Sequence, residues 1–326
     1  MKGNDFIKNL REGLEFNNYE ISDFKYWRIS ELFSNRNETK FIYLHWPESM
    51  WRGKNIVKCL IKILQFFISV KSGKILGYQY IWSAHNVKPH NQVYFPRLER
   101  IARKFILRNF QLIIGHSKNC KQDLEKEYNL KLKNYTLAYH GIYQKKQINT
   151  IPETLKNIDF SKKTFLVFYD DNDYKGSKDF VQFFNKTFSN DNECQLIIGK
   201  AKEKYNAKNI FEIPGFITEE EITYLFYKSN YLVLPYKDIT TSGMFFLAVT
   251  YDLPILAPAI SFFKKHGVLE STVFLYDPEN YEQSLTERIT KLSTQKSPEH
   301  YKLLQKKYSW ETTNNIIGKA IGNLIN

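Results

Sequence analysis

The sequence predicts an α/β protein of two facing Rossmann-like domains, each a parallel sheet with helices on its faces. Three observations predict it. A chain of 326 residues exceeds what one ordinary core organises. Apolar strands alternate with amphipathic helices along nearly its whole length. A polar stretch over 144–161, containing Pro152 and lacking a period, divides the alternation into two series and reads as a linker. Domains over 1–150 and 151–305 follow, with a cleft expected between them.

The first series opens with a helix over 5–16, which carries Phe6, Ile7, Leu10 and Leu14 at helical spacing. Only residues 1–4 precede it, so the strand that usually opens such a domain is expected to be shortened or missing. A short buried strand over 40–45 comes next, then an amphipathic segment over 54–70 and a strand over 78–84. A helix over 97–110, a strand over 111–116 and a helix over 118–128 complete the series. The second series has strands over 164–169, 195–199, 210–213, 231–235 and 254–257, with helices over 177–188, 219–229 and 242–251. The tail from Tyr281 is helical and contains Ser309, Trp310 and Glu311.

Composition narrows the class. Aromatic residues at 16% supply ample core, which excludes disorder. The start of the chain is polar and no signal-peptide core follows, so a cytoplasmic protein is expected. The most apolar stretch, 56–70, carries Lys58 and Lys62 and is shorter than the ~20 residues needed to span a bilayer. Cys59, Cys120 and Cys194 lie too far apart for a zinc or disulfide framework. The net charge of +13 is uneven: residues 1–150 hold 26 Lys and Arg against 12 Asp and Glu, a balance of +14, whereas 151–326 hold 21 against 22. The first half therefore suits an anionic surface. Nucleic acid is disfavoured, because the basic half has no helix-turn-helix, zinc-finger or RNP signature.

The sharpest local signal runs from Leu234 through Pro235, Tyr236, Lys237, Asp238, Ile239, Thr240, Thr241 and Ser242 to Gly243, a strand end entering a hydroxylic turn that opens a helix. Such a turn presents free N–H groups and the positive end of a helix dipole, which suit a diphosphate. A hydroxyl at that place also reads simply as a helix cap. Tyr174-Lys175-Gly176-Ser177 follows the first strand of its series, at the carboxyl edge where open α/β sheets bind ligands. There Lys175 can neutralise a phosphate and Gly176 permits a tight turn, though such a pair alone is often a solvated turn. In the first half, His45-Trp46-Pro47-Glu48 and His85-Asn86 with Pro89-His90 each follow a strand. Imidazole, amide and carboxylate together suit hydroxyl recognition and proton transfer, with His85 or Glu48 as acid or base.

These runs, with Tyr139-His140-Gly141 and Gly215-Phe216, resemble in order and spacing the group-1 (family 4-like) glycosyltransferases of bacterial polysaccharide synthesis. The resemblance extends from Phe6 to Trp310. It implies a GT-B fold, an acceptor site in the first domain, a UDP- or GDP-linked sugar in the second, and a C-terminal helix over 306–326 crossing back. It also implies transfer of a hexose without a metal or other cofactor. By position, His85 lies beside the transferred sugar, with Glu48 and Asp238 as further candidate catalytic groups. Lys175, Gly176, Thr240, Thr241, Ser242 and Gly243 hold the diphosphate, whose developing charge must be stabilised. Gly215, Phe216 and Ile217 border the base, and His45, Trp46, Asn86 and His90 meet the acceptor.

The sequence also departs from that pattern. Asp170-Asp171-Asn172-Asp173 stands where the family often has an arginine, and Ile239 and Leu247 stand where many relatives have two glutamates. A sugar-nucleotide-binding homologue without activity, partnering an active enzyme, is the alternative. Asp171-Asn172-Asp173 resembles the D-x-D metal motif of the other major glycosyltransferase fold, but its place before Lys175 fits loop capping better.

Two basic segments suggest the inner face of the plasma membrane. Over 97–108, Leu98, Ile101, Ala102, Phe105 and Ile106 are placed to pack, while Arg97, Arg100, Arg103, Lys104 and Arg108 are expected to reach solvent. Lys54, Lys58 and Lys62 recur every four residues on a helix flanked by Trp51, Phe66 and Phe67, a combination suited to an anionic interface.

Overall fold

The computed structural model describes residues 5–23, 25, 27–88, 93–148, 150–239, 241–266, 272–293 and 298–324. Two compact units result: one runs through His140 and resumes at Trp310, and the other is Gly141–Ser309.

The N-terminal unit begins with α1 (Asp5–Phe16) and α2 (Ile29–Asn35). Strands β1 (Phe41–Leu44), β2 (Gln79–Ala84), β3 (Leu112–Gly115) and β4 (Tyr135–Leu137) alternate with helices α3 (Ile56–Ile75), α4 (Pro96–Asn109) and α5 (Cys120–Tyr128). The sheet is parallel in the order β1-β2-β3-β4, with Leu44 opposite Trp82 and Trp82 opposite Ile113. Because successive strand residues face opposite sides, the sheet feeds two cores. Tyr80, Trp82 and Ile113 join Phe66, Ala102, Ile106 and Leu124 on the side of α3, α4 and α5. Ile81, Leu112 and Ile114 face the other way, onto α1.

In the C-terminal unit, β5 (Lys163–Phe168), α6 (Ser177–Phe188), β6 (Cys194–Ala201), β7 (Ile210–Pro214), α7 (Glu219–Lys228), β8 (Tyr231–Val233), α8 (Gly243–Thr250), β9 (Ile255–Pro258), α9 (Ser261–His266) and β10 (Val273–Tyr276) precede α10 (Tyr281–Lys291) and α11 (Pro298–Lys307). Its six strands are parallel in the order β10-β9-β8-β5-β6-β7. The chain reverses direction across the sheet between β5 and β8, which is where such folds bind ligands. Phe165, Val167, Leu196 and Ile198 pack on Phe180 and Phe184 of α6 and on Leu285 and Ile289 of α10.

The last helix, α12 (Trp310–Gly322), returns to the N-terminal unit and lies against α1. The approach is close enough that a Cβ on Gly13 would fall 1.6 Å from Asn314 Nδ2. Asn314 Nδ2 donates to the Asn9 carbonyl and the Tyr19 hydroxyl donates to the Gly318 carbonyl.

The stretch expected as a linker behaves otherwise. The unit boundary falls after His140, not near residue 150, because the following residues are strapped to the C-terminal unit. Ile142 N–H donates to Tyr308 O, Tyr143 N–H to Thr250 Oγ1, and the Lys145 and Thr154 side chains to Asp252 and Glu221.

Candidate functional site

In the C-terminal unit the loops after β5 and β8 meet. Lys237 N–H donates to Tyr174 O at 2.7 Å, and Gly176, at φ +63°, lies so near the β8 loop that a Cβ there would be 2.1 Å from Pro235 O. Only glycine satisfies both conditions without strain. The Lys175 ammonium stands 5.6 Å from the centre of the Tyr236 ring, and Ser242 Oγ lies 3.5 Å from the Tyr236 hydroxyl. Tyr236 is thus buried between the lysine and the start of α8, and burial pushes its phenol above the ordinary value. Sequence reasoning did not single it out, although it sits inside the quoted run.

Ser242 caps α8, accepting from Phe245 N–H, so the cap reading of that hydroxyl holds. Thr241 Oγ1 beside it is buried without a hydrogen-bond partner. Thr240 lies outside the described residues, and Asp238 is exposed on the connecting loop. The acidic run is neutralised locally: Asp170 pairs with Lys175 at 3.4 Å, Asp171 with Lys202, and Asp173 with Lys237 at 2.8 Å. Among the described residues, no group of three or more His, Cys, Asp or Glu is placed to hold a metal ion. At the end of β7, Gly215 adopts φ +71° and turns the Phe216 ring out to 87% exposure, whereas Ile217 is buried.

In the N-terminal unit, β1, β2 and β3 are each followed directly by a histidine: His45, His85 and His116. His140 follows β4 three residues later, and all four rings surround Phe6 of α1, at centroid distances of 4.9–5.6 Å. His85 is sandwiched between Trp46 at 4.5 Å and His116 at 4.7 Å, and its Nε2 is 3.4 Å from His45 Nδ1. It is 8% exposed. Burial, followed by the neighbouring imidazoles His116, His45 and His140, holds its pKa well below the usual histidine range. Burial and His116 lower His45 to about 3. Burial lowers His116 to about 4, against an opposing bond to the Ala138 carbonyl, and His116 Nε2 has no partner. Imidazoles in such a place are neutral near pH 7. Asn86 is half-buried, and its backbone carbonyl accepts from Arg103. His90 lies outside the described residues.

Several expected roles are corrected. Arg103 is 1% exposed: its guanidinium donates to Glu99 at 2.9 Å, Glu48 at 3.1 Å and the carbonyls of Asn86 and Val87. Ile101, expected to pack, is instead 53% exposed. The helix is rotated from the expected orientation because Glu99, also paired with Arg52 and Trp51, supplies the counter-charge inside. Glu48 therefore serves as partner to a buried cation, not as a free acid or base, while Arg103 anchors the loop that follows His85. Arg97, Arg100 and Arg108 are exposed, Lys104 is half-buried, and Arg100 pairs with Glu127 at 2.6 Å. Lys58 and Lys62 are exposed on α3, but Lys54 precedes the helix, whose cap is Asn55. Trp51 and Phe66 belong to the core, so neither stands exposed beside the lysines.

Two units of parallel strands and alternating helices, one of them completed by the C-terminal helix, define a GT-B fold. Solved structures agree. HepE of Anabaena, in complex with UDP-glucose, superposes with a TM-score of 0.65 at 10% identity, over 90% of this chain and 82% of HepE. A glycosyltransferase from Rickettsia africae gives 0.63 at 12% identity, over 94% and 85%. Sucrose-phosphate synthase from Thermosynechococcus elongatus gives 0.62 at 13% identity, over 91% and 77%. At these identities the likeness is one of fold. No protein-family model matches the chain, and no curated protein sequence matches it.

Proposed function

We propose that the chain is a glycosyltransferase that moves a hexose from a UDP- or GDP-linked donor to a glycan or lipid-linked acceptor in bacterial surface polysaccharide synthesis. The observation that carries this reading is the meeting of Lys175 with the start of α8 across Tyr236. A cation and a helix N-terminus at one sheet edge form a diphosphate cradle. In this reading Lys175, the backbone of Gly176, and Thr241, Ser242 and Gly243 hold the diphosphate, and the exposed Phe216 ring beside Gly215 offers a face to the base. His85, neutral, accepts a hydrogen bond from the transferred sugar, and His45, Trp46 and Asn86 meet the acceptor. The anomeric C–O bond to the diphosphate breaks, a new one forms to an acceptor hydroxyl, and the hydroxyl proton leaves with the nucleoside diphosphate or to water. Charge accumulating on the leaving group is what Lys175 and the α8 amides stabilise. Arg97, Arg108, Lys58 and Lys62 are proposed to favour an anionic membrane surface at the cytoplasmic face.

The test is nucleotide release from a panel of UDP- and GDP-sugars with a polyprenyl-diphosphate-sugar acceptor. Release is expected in the wild type and is expected to be lost in Lys175→Ala and His85→Ala. Ile239 and Leu247, standing where many members of the family that the sequence resembles have glutamates, favour a second reading, a binding homologue without turnover. Tight nucleotide binding with no release under any donor would establish that reading and sink the first.

A further inference from the structure

Helix α3 has two apolar faces. One, with Cys59, Ile63, Phe66 and Val70, is buried in the core of the N-terminal unit. The other carries Ile56, Val57, Leu60, Ile61, Leu64 and Ile68, each 47–59% exposed. At about 100° per residue these six occupy an arc of roughly 140°, a continuous stripe larger than scattered surface hydrophobes account for. Lys58 and Lys62 separate the two faces along one side, and Lys71 interrupts the stripe beyond Ile68. The surrounding charge has one sign: residues 51–75 contain six Lys or Arg, and no Asp or Glu occurs between Glu48 and Glu99. No helix among the described residues is long and apolar enough to cross a membrane. Beside the first turn of α3 lies a cavity of about 360 Å³, walled by Trp51, Cys59, Ile63, Tyr94, Phe95 and Leu98. Arg52, Lys54 and the Arg-paired Glu99 also line it.

We propose that α3 lies in the headgroup layer of an anionic leaflet with its stripe among the hydrocarbon chains, and that the cavity receives one chain of an anionic lipid. An exposed aliphatic stripe bordered by lysines without carboxylates complements such a leaflet in both polarity and charge. This rests on the membrane part of the reading above, not on sugar transfer.

Flotation of the full chain with vesicles of phosphatidylcholine, alone or with about a third phosphatidylglycerol, tests it. The wild type is expected to float with the anionic vesicles and to keep part of that binding in high salt, since chain insertion is not screened. The triple variant Leu60→Ser, Ile61→Ser, Leu64→Ser should bind about a hundredfold more weakly with an unchanged circular dichroism spectrum. Lys58→Gln with Lys62→Gln should lose only the salt-sensitive part, about thirtyfold. Lipids with brominated chains should quench wild-type fluorescence, and Trp51→Phe should remove the quenched component. Equal flotation of the triple variant overturns the insertion, and quenching unchanged in Trp51→Phe overturns the occupied cavity. A wild-type dimer that the serine variant converts to monomer, with neither floating, assigns the stripe to a second copy and overturns the proposal. Nucleotide release measured without vesicles reads the transferase proposal separately.

Discussion

Truncating Arg103 to alanine is expected to destabilise the N-terminal unit by about 3–5 kcal/mol, the cost of removing one member of a buried ion pair. Glu99 keeps the Arg52 guanidinium at 2.6 Å and the Trp51 indole at 2.9 Å, so its charge stays compensated. Glu48 is left with Arg52 at 3.8 Å, and the carbonyls of Asn86 and Val87 lose their donor. The loss therefore falls mainly on Glu48 and on the loop after His85. It corresponds to a drop in melting midpoint on the order of 10 °C for a unit of this size. Arg100, on the same helix but 48% exposed with its Glu127 partner half-buried, gives the contrast: Arg100→Ala should cost under about 1 kcal/mol. Arg103→Lys should restore little, because one ammonium cannot reach two carboxylates and two carbonyls in the planar fork that arginine provides. Urea denaturation followed by near-ultraviolet circular dichroism reads all three variants. If Arg103→Ala shifts the midpoint no more than Arg100→Ala does, the guanidinium is solvated and the network described for Glu48 and Glu99 is wrong.

Lys175→Ala should weaken UDP or GDP binding about ten- to a hundredfold, the loss of one charge-assisted contact; unchanged affinity by calorimetry would place the diphosphate elsewhere. Gly176→Ala forces a Cβ to within 2.1 Å of Pro235 O at φ +63°, and should cost on the order of 3 kcal/mol while separating the two loops of the proposed diphosphate cradle. His116 titrates at its ordinary 6.5 when unfolded and at about 4 when folded, so the unfolded chain takes up the proton first. The share of stability that His116 contributes is fully present above pH 6.5 and is lost as the pH falls toward 4, by about 1.4 kcal/mol per pH unit, and His45 and His85, lowered likewise, add to the slope. His116→Gln should flatten that slope in denaturation midpoints measured between pH 7 and pH 4.5, and an unaltered slope would show that another group carries it.

The elements that a sequence reveals most readily are those whose periodicity is long and whose ends are punctuated. The helix expected over 177–188 is α6 to the residue, because Gly176 stops the preceding turn and Phe180, Val181, Phe184 and Phe188 keep one face. By contrast, β4 has only three residues, all half-buried, and offers no alternation to detect. The short α2, α9 and β10 escaped for the same want of length. The loops bearing Lys175 and Ser242 were recognisable from local chemistry, since glycine, lysine and hydroxyls cluster at strand ends. Arg103 was misread because helical periodicity alone assigns both it and its i−4 partner Glu99 to solvent, and the partners that complete its burial, Glu48 and the Asn86 carbonyl, are 55 and 17 positions away. The histidine cluster was legible in part: His45 and His85 were singled out at their strand ends, whereas His116, which follows β3 in the same way, was not.

The two sheet edges differ in the kind of charge they tolerate. Around Phe6 the rings of His85, His116 and His140 are buried and His45, His85 and His116 are held neutral, so a further charge placed there is costly to desolvate. Around Tyr236 a lysine, the start of a helix and an unpartnered threonine hydroxyl all favour an anion. The sugar transfer proposed above would use the first edge for a neutral hydroxyl and the second for an anionic leaving group.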